Sequence, residues 1–117
     1  MKKLFSRYAL YIGRFQPFHE GHMWCINKII NEGNKVCIAV MDIHQLEPKN
    51  NPYSFSEVHE RISKMMSEEL ESGDIIITKI PPINSVNYGR DVGYQLVEHQ
   101  PPKHIKKISA TKIRNLS

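Results

Sequence analysis

A chain of 117 residues, 40% hydrophobic and 24% charged, has room for one modest domain and the make-up of a folded protein, not of a disordered tail or a disulfide scaffold. Sixteen lysines and arginines against twelve acidic residues give +4, placed unevenly: residues 1–78 sum to −1 and residues 79–117 to +5. That basic last third points to nucleic acid, a nucleotide or an anionic membrane as partner, while no apolar run nears the roughly 20 residues that span a bilayer.

In chain order, Met1-Lys2-Lys3-Leu4-Phe5-Ser6-Arg7 leads into an apolar stretch cut short by Gly13-Arg14, which is not a secretory leader. Tyr8 to Ile12, ending at Gly13, predicts a first strand. Met23, Ile26, Ile29 and Ile30 recur at helical spacing between Gly21 and Glu32, with Gly33 as the stop. Val36 to Met41 predicts a second strand. Ser54-Phe55-Ser56-Glu57 reads as a capping box opening a helix whose apolar positions Val58, Ile62, Met65, Met66 and Leu70 run on to Gly73. Ile75 to Thr78 predicts a third strand, stopped by Pro81-Pro82. All three strands are continuously apolar, the pattern of strands covered on both faces. Strand, helix, strand, helix, strand predicts an α/β fold with a single Rossmann-like, doubly wound parallel sheet. Further on, Ser85 to Arg90 reads as a loop or short strand and Tyr94 to Glu98 as an edge strand. Pro101-Pro102 breaks the chain, and Ser109 caps a short helix through Lys112, Ile113 and Leu116. Cys25 and Cys37 sit in apolar stretches as buried thiols; a disulfide between them stays open, and a reducing cytosol is the expected setting. A sheet this small is expected to need a partner chain over its edge, hence a homo-oligomer.

In doubly wound sheets ligands bind beyond the carboxyl ends of the strands, beside the first. The segment there is Gly13-Arg14-Phe15-Gln16-Pro17-Phe18-His19-Glu20-Gly21-His22. Glycine lets backbone approach a ligand, His19 and His22 flank a helix N-terminus that favours anions, and Arg14 can fork onto phosphate oxygens. Late in the chain Ile108-Ser109-Ala110-Thr111-Lys112-Ile113-Arg114 offers hydroxyls, free N–H groups and two cations at a second helix start. Either segment alone is weak; together they describe a polyphosphate cradle. Two histidines three apart also resemble half of a metal site, but no third ligand is placed to complete it, so no protein-held metal is expected. Read plainly, the same residues are helix caps with a solvated charge. Phe15 is either a pocket wall or core, and Asp42, just past the second strand, is either an acceptor contact or a turn cap.

Gly13 to His22 resembles the G-R-F-x-P-x-H-x-G-H form of the nucleotidylyltransferase superfamily, and Ile108 to Arg114 its I-S-x-T-x-I-R motif. The arginine-containing first motif is most similar to nicotinamide mononucleotide adenylyltransferases of the archaeal type and related phage and bacterial enzymes. Asn51-Pro52-Tyr53-Ser54 with Glu60-Arg61 loosely resembles the N-P-F-[ST]…E-R segment of that group. The resemblance implies a minimal nucleotidylyltransferase (cytidylyltransferase-like) domain over 1–117. It implies that His19, His22 and Arg14 act on the phosphates, and that Gly13, Phe15 and Gly21 belong to the nucleotide site. Ser109, Thr111 and Arg114 would hold the β- and γ-phosphates, with Mg2+ accompanying the triphosphate. Such enzymes carry a fourth strand whose Gly-containing turn touches the ribose; Gly89-Arg90-Asp91 is the one candidate for that turn, a plain loop being the other reading. Phe15 and Asp42 would face the acceptor.

The implied reaction moves AMP from ATP to a phosphate-bearing acceptor such as NMN, releasing pyrophosphate. A CTP-dependent cytidylyltransferase or a pantetheine-phosphate-type adenylyltransferase differs from it only in base and acceptor. A non-catalytic nucleotide- or nucleic-acid-binding module is the reading from another class. With Lys112 and Arg114 assigned to a triphosphate, the basic third reads as a small-molecule site rather than a duplex-binding surface.

Overall fold

The computed structural model describes residues 7–90, 93 and 95–106. In order these form β1 (Tyr8–Gly13), α1 (Glu20–Asn31), β2 (Lys35–Met41), α2 (Phe55–Met65), α3 (Ser67–Ser72), β3 (Ile75–Ile80) and α4 (Lys103–Lys106). The three strands make one parallel sheet in the order β1-β2-β3. The expected α/β alternation over residues 8–80 is therefore present, and the strand limits differ from the sequence reading by at most two residues.

Register explains the burial. Ala9, Val36 and Ile75 lie abreast, as do Tyr11, Ile38 and Ile77, so these six share one sheet face. That face meets Ile26 and Ile29 of α1 and Val58 and Ile62 of α2 in a single cluster closed by Phe15, Phe18 and Met66. Fully burying side chains of this size contributes about 1.5–3 kcal/mol each, so the cluster fixes the strand ends from which the loops start. The opposite row, Leu10, Cys37 and Ile76, does not match the expectation of strands covered on both faces. Leu10 is 58% and Ile76 41% exposed, and the two long helices pack together on the other side.

The helix signals translate locally. Ser54 Oγ accepts the Glu57 backbone N–H at 3.2 Å and Glu57 Oε1 accepts that of Ser54 at 3.1 Å, completing the capping box of α2. Gly33 and Gly73 take positive φ where the helices stop. The single helix expected from Ser54 to Gly73 is instead two, because Met66 leaves helical geometry (φ −124°, ψ 38°) and its side chain turns fully into the core. Of the strand expected at Tyr94–Glu98, residues 95–98 lack regular structure, with Leu96 and Val97 exposed, and Tyr94 lies outside the described residues. Ser85–Arg90 is loop. An unexpected turn of helix, α4, follows Pro102 and contacts α1. Both cysteines are free. Among the described residues no helix is long and apolar enough to cross a membrane.

Candidate active site

The loop from β1 to α1 is folded tightly onto itself. Phe15 adopts a left-handed backbone (φ 54°), which a bulky residue takes only when its surroundings hold it there. Its ring does the holding: it is 3% exposed and folds back over Gly13, so that a Cβ on Gly13 would lie 2.8 Å from it. Phe15 thus presents no open ring face to a ligand. It supports His22 instead, edge-on at 4.9 Å between centroids, while Phe18, itself 5.6 Å from Phe15, stacks on that imidazole at 5.4 Å.

His19 and His22 are locked at the start of α1. Nδ1 of His19 accepts the Gly21 backbone N–H at 3.0 Å, and Nδ1 of His22 accepts the His19 N–H at 3.0 Å, so the pair forms a capping box made of two imidazoles. Their rings stack with centroids 3.8 Å apart. Gly21 is required for this approach, since a Cβ there would meet His19 Cε1 at 2.8 Å and Nδ1 at 3.0 Å.

A nitrogen that accepts a backbone N–H carries no proton, so in each neutral ring the proton sits on Nε2. Both rings are held neutral. Burial, then the neighbouring His19, lowers the pKa of His22 from 6.5 to about 3. Burial, then the Arg61 guanidinium, lowers that of His19, with Glu20 opposing. The outcome is two fixed Nε2–H donors at the positive end of a twelve-residue helix.

Arg61 stands beside His19, and Arg14 precedes the pair in the same loop. Arg14 is exposed and donates from Nη1 to Asn51 Oδ1 at 3.3 Å. Arg61 reaches from α2 and donates from Nε to the Phe18 carbonyl at 2.6 Å, which brings its charge against His19. The segment before α2 grips the loop again through Gln16, which donates to the Tyr53 carbonyl and accepts its N–H, both at 2.9 Å. In the sequence Arg61 and Asn51 fall inside a motif that gives them no task of their own, and Gln16 carries no signal.

Contacts therefore unite Gly21, His19 and His22, with Phe15 packed between His22 and Gly13, while Arg14 in the same loop is tied to Asn51. Asp42 stands just past β2, its N–H continuing the ladder to the Ile80 carbonyl at 2.9 Å, and its carboxylate makes no hydrogen bond to the loop among the described residues. Gly89 lies in an exposed stretch without regular structure. Asp91, Ser109, Thr111 and Arg114 lie outside the described residues. Among those described, no group of three or more His, Cys, Asp or Glu side chains could hold a metal ion. The donors gathered here, two N–H imidazoles and two guanidiniums, suit phosphate oxygens and would repel a bare cation.

The profile of the cytidylyltransferase-like family matches residues 10–79, from β1 through β3, and so includes both histidines and Arg61. Nicotinamide-nucleotide adenylyltransferase of Thermoplasma acidophilum is 34% identical over 79 residues, covering 68% of this chain and 42% of that protein. Its counterpart from Picrophilus torridus is 33% identical over the same length, covering 68% and 44%. That of Methanospirillum hungatei is 25% identical over 130 positions, covering 92% of this chain and 75% of the relative. The chain thus spans less than half the length of the first two relatives.

Proposed function

The chain belongs to the cytidylyltransferase-like family, and from that premise we propose that it transfers AMP from ATP to a phosphate-bearing acceptor, NMN foremost, releasing pyrophosphate. The observation that carries this reading is the pair of imidazoles whose Nδ1 atoms are both occupied by backbone N–H groups. That leaves two preorganised donors for oxygens of the triphosphate, where negative charge grows in the transition state. An acceptor phosphate oxygen attacks the α-phosphorus in line; the bond to the β-phosphate oxygen breaks, and pyrophosphate leaves with the electron pair. His22 and His19 donate from Nε2 to the α- and β-phosphate oxygens without giving up their protons, and Arg14 offsets charge beside them. The protein's work is positioning and charge stabilisation, with no covalent intermediate. Magnesium would accompany the triphosphate and offset its charge, with no side chain of this chain assigned to hold it.

The remaining assignments follow the motif resemblance: Ser109, Thr111 and Arg114 on the β- and γ-phosphates, Gly89 and Asp91 at the ribose, Asp42 toward the acceptor. One contact supports bringing the second motif to the first. Ile105, three residues before Ile108, lies with its Cγ2 3.7 Å from the Cβ position of Gly21. ATP and NMN are favoured over CTP and other acceptors by the names of the relatives.

The test is pyrophosphate release with each of the four nucleoside triphosphates against NMN, nicotinate mononucleotide, phosphopantetheine and sugar or alcohol phosphates. Release confined to ATP with NMN supports the reading, and no turnover with any pair refutes it. Oligonucleotide affinity that falls steeply with salt and ignores His22 would favour the non-catalytic module instead.

A further inference from the structure

The residues 42–54 between β2 and α2 contain a buried amide for which neither the fold nor the phosphate chemistry has yet given a reason. Asn51 is fully buried and, with Gln16, one of two buried polar side chains among the described residues. Burying an amide is unfavourable unless its donors and acceptor are bonded, and here they are. Nδ2 donates to the Glu47 backbone carbonyl at 2.9 Å and to Glu47 Oε2 at 3.3 Å. Those two acceptors fix which end of the amide is nitrogen. Oδ1 is thereby turned toward Arg14 Nη1, 3.3 Å away and 37 residues distant in sequence. The Asn51 main chain is anchored as well, its carbonyl lying 2.6 Å from Nδ1 of His44. Two residues on, Gln16 and Tyr53 exchange their pair of hydrogen bonds, so the same segment holds the loop on either side of Phe15.

An exposed arginine on a flexible stem loses much of its attraction for phosphate in being ordered. Arg14 is spared that loss: one of its five N–H donors is spent on an amide that cannot rotate, and the other four have no hydrogen-bond partner among the described residues. We propose that Asn51, oriented by Glu47 and His44, is a positioning residue that holds the Arg14 guanidinium ready for a polyphosphate. This rests on the function proposed above only in what the polyphosphate belongs to.

The experiment is a double-mutant cycle on the full chain, read by calorimetric binding of inorganic tripolyphosphate and, separately, by turnover. Asn51→Ala should weaken tripolyphosphate binding about tenfold, the worth of one charge-assisted contact. In an Arg14→Gln background the same change should alter binding less than about twofold. In turnover, Asn51→Ala should raise the KM for ATP with kcat within about twofold of wild type. If Asn51→Ala fails to fold, the cycle is run with Asn51→Leu, which keeps the shape of the amide without its polar atoms. Equal losses with and without Arg14 would overturn the proposal, because Asn51 would then act only on stability. Failure of the unaltered chain to bind tripolyphosphate would overturn it too. A non-additive cycle in a chain that turns over no substrate pair would sustain the role of Asn51 while removing the enzymatic reading.

Discussion

Acidification should unfold this protein sooner than its composition alone implies, and His22 is the reason. Folding lowers its pKa from 6.5 to about 3, burial being the larger cause and His19 the second. Below pH 6.5 the unfolded chain takes up a proton at His22 that the folded chain refuses, so stability falls as pH falls. The fall continues until the folded pKa is reached, and each pH unit in that window is worth about 1.4 kcal/mol. Between pH 7.5 and pH 5.0, His22 alone should therefore remove about 2 kcal/mol. His19, also lowered, acts in the same direction. The assay is urea unfolding at the two pH values for wild type and for His22→Asn. Asparagine places Oδ1 where Nδ1 accepts the His19 N–H, and it does not titrate. Wild type should lose about 2 kcal/mol more than the variant across this interval. Equal losses would refute the claim that His22 is held neutral, and with it the assignment of Nε2 as a standing donor.

Three further expectations test other parts of the site. Gly21→Ala places a methyl group 2.8 Å from His19 Cε1 and should displace that ring, lowering turnover about 100-fold with little change in melting temperature; unchanged turnover would show that the ring gives way without consequence. Arg61→Gln removes a charge that lowers the His19 pKa, so an NMR titration should find that pKa raised toward its ordinary value; an unmoved pKa would take Arg61 out of the site's electrostatics. Ser54→Ala breaks the capping box of α2 and should cost about 1 kcal/mol in thermal unfolding; a loss below a few tenths would mean that the cap adds nothing to the packed helix.

What the sequence disclosed was what is local. Apolar periodicity located β1, α1, β2, α2 and β3, because each signal lies within one element. It ran past Met66, since a side chain turning into the core looks the same in sequence whether the helix continues or breaks. Leu10 and Ile76 read as covered because hydrophobicity reports a preference, not what lies over it. Pro101-Pro102 breaks the chain as expected of proline, but proline also suits the start of a helix, and α4 begins at Lys103. In the site, the H-x-G-H spacing identified both imidazoles, and their Nδ1 bonds supply the reason for that spacing: His22 three residues on from a capping His19 closes the box. Gly21 between them leaves room for the ring. Gln16, Asn51 and Arg61 were opaque because their partners stand 37 to 43 residues away, where no periodicity carries information. In sequence Phe15 suits pocket wall and core alike, and the positive φ that folds its ring over Gly13 decides for packing.

The most direct measurement follows the α-phosphorus itself. The chain is incubated with NMN and ATP labelled at that position, and the products are separated. Label is expected in a dinucleotide, with one pyrophosphate released for each dinucleotide formed, and neither product when NMN is omitted or when His22 is replaced by alanine. Label that stays in ATP, or pyrophosphate released without an acceptor, would contradict it.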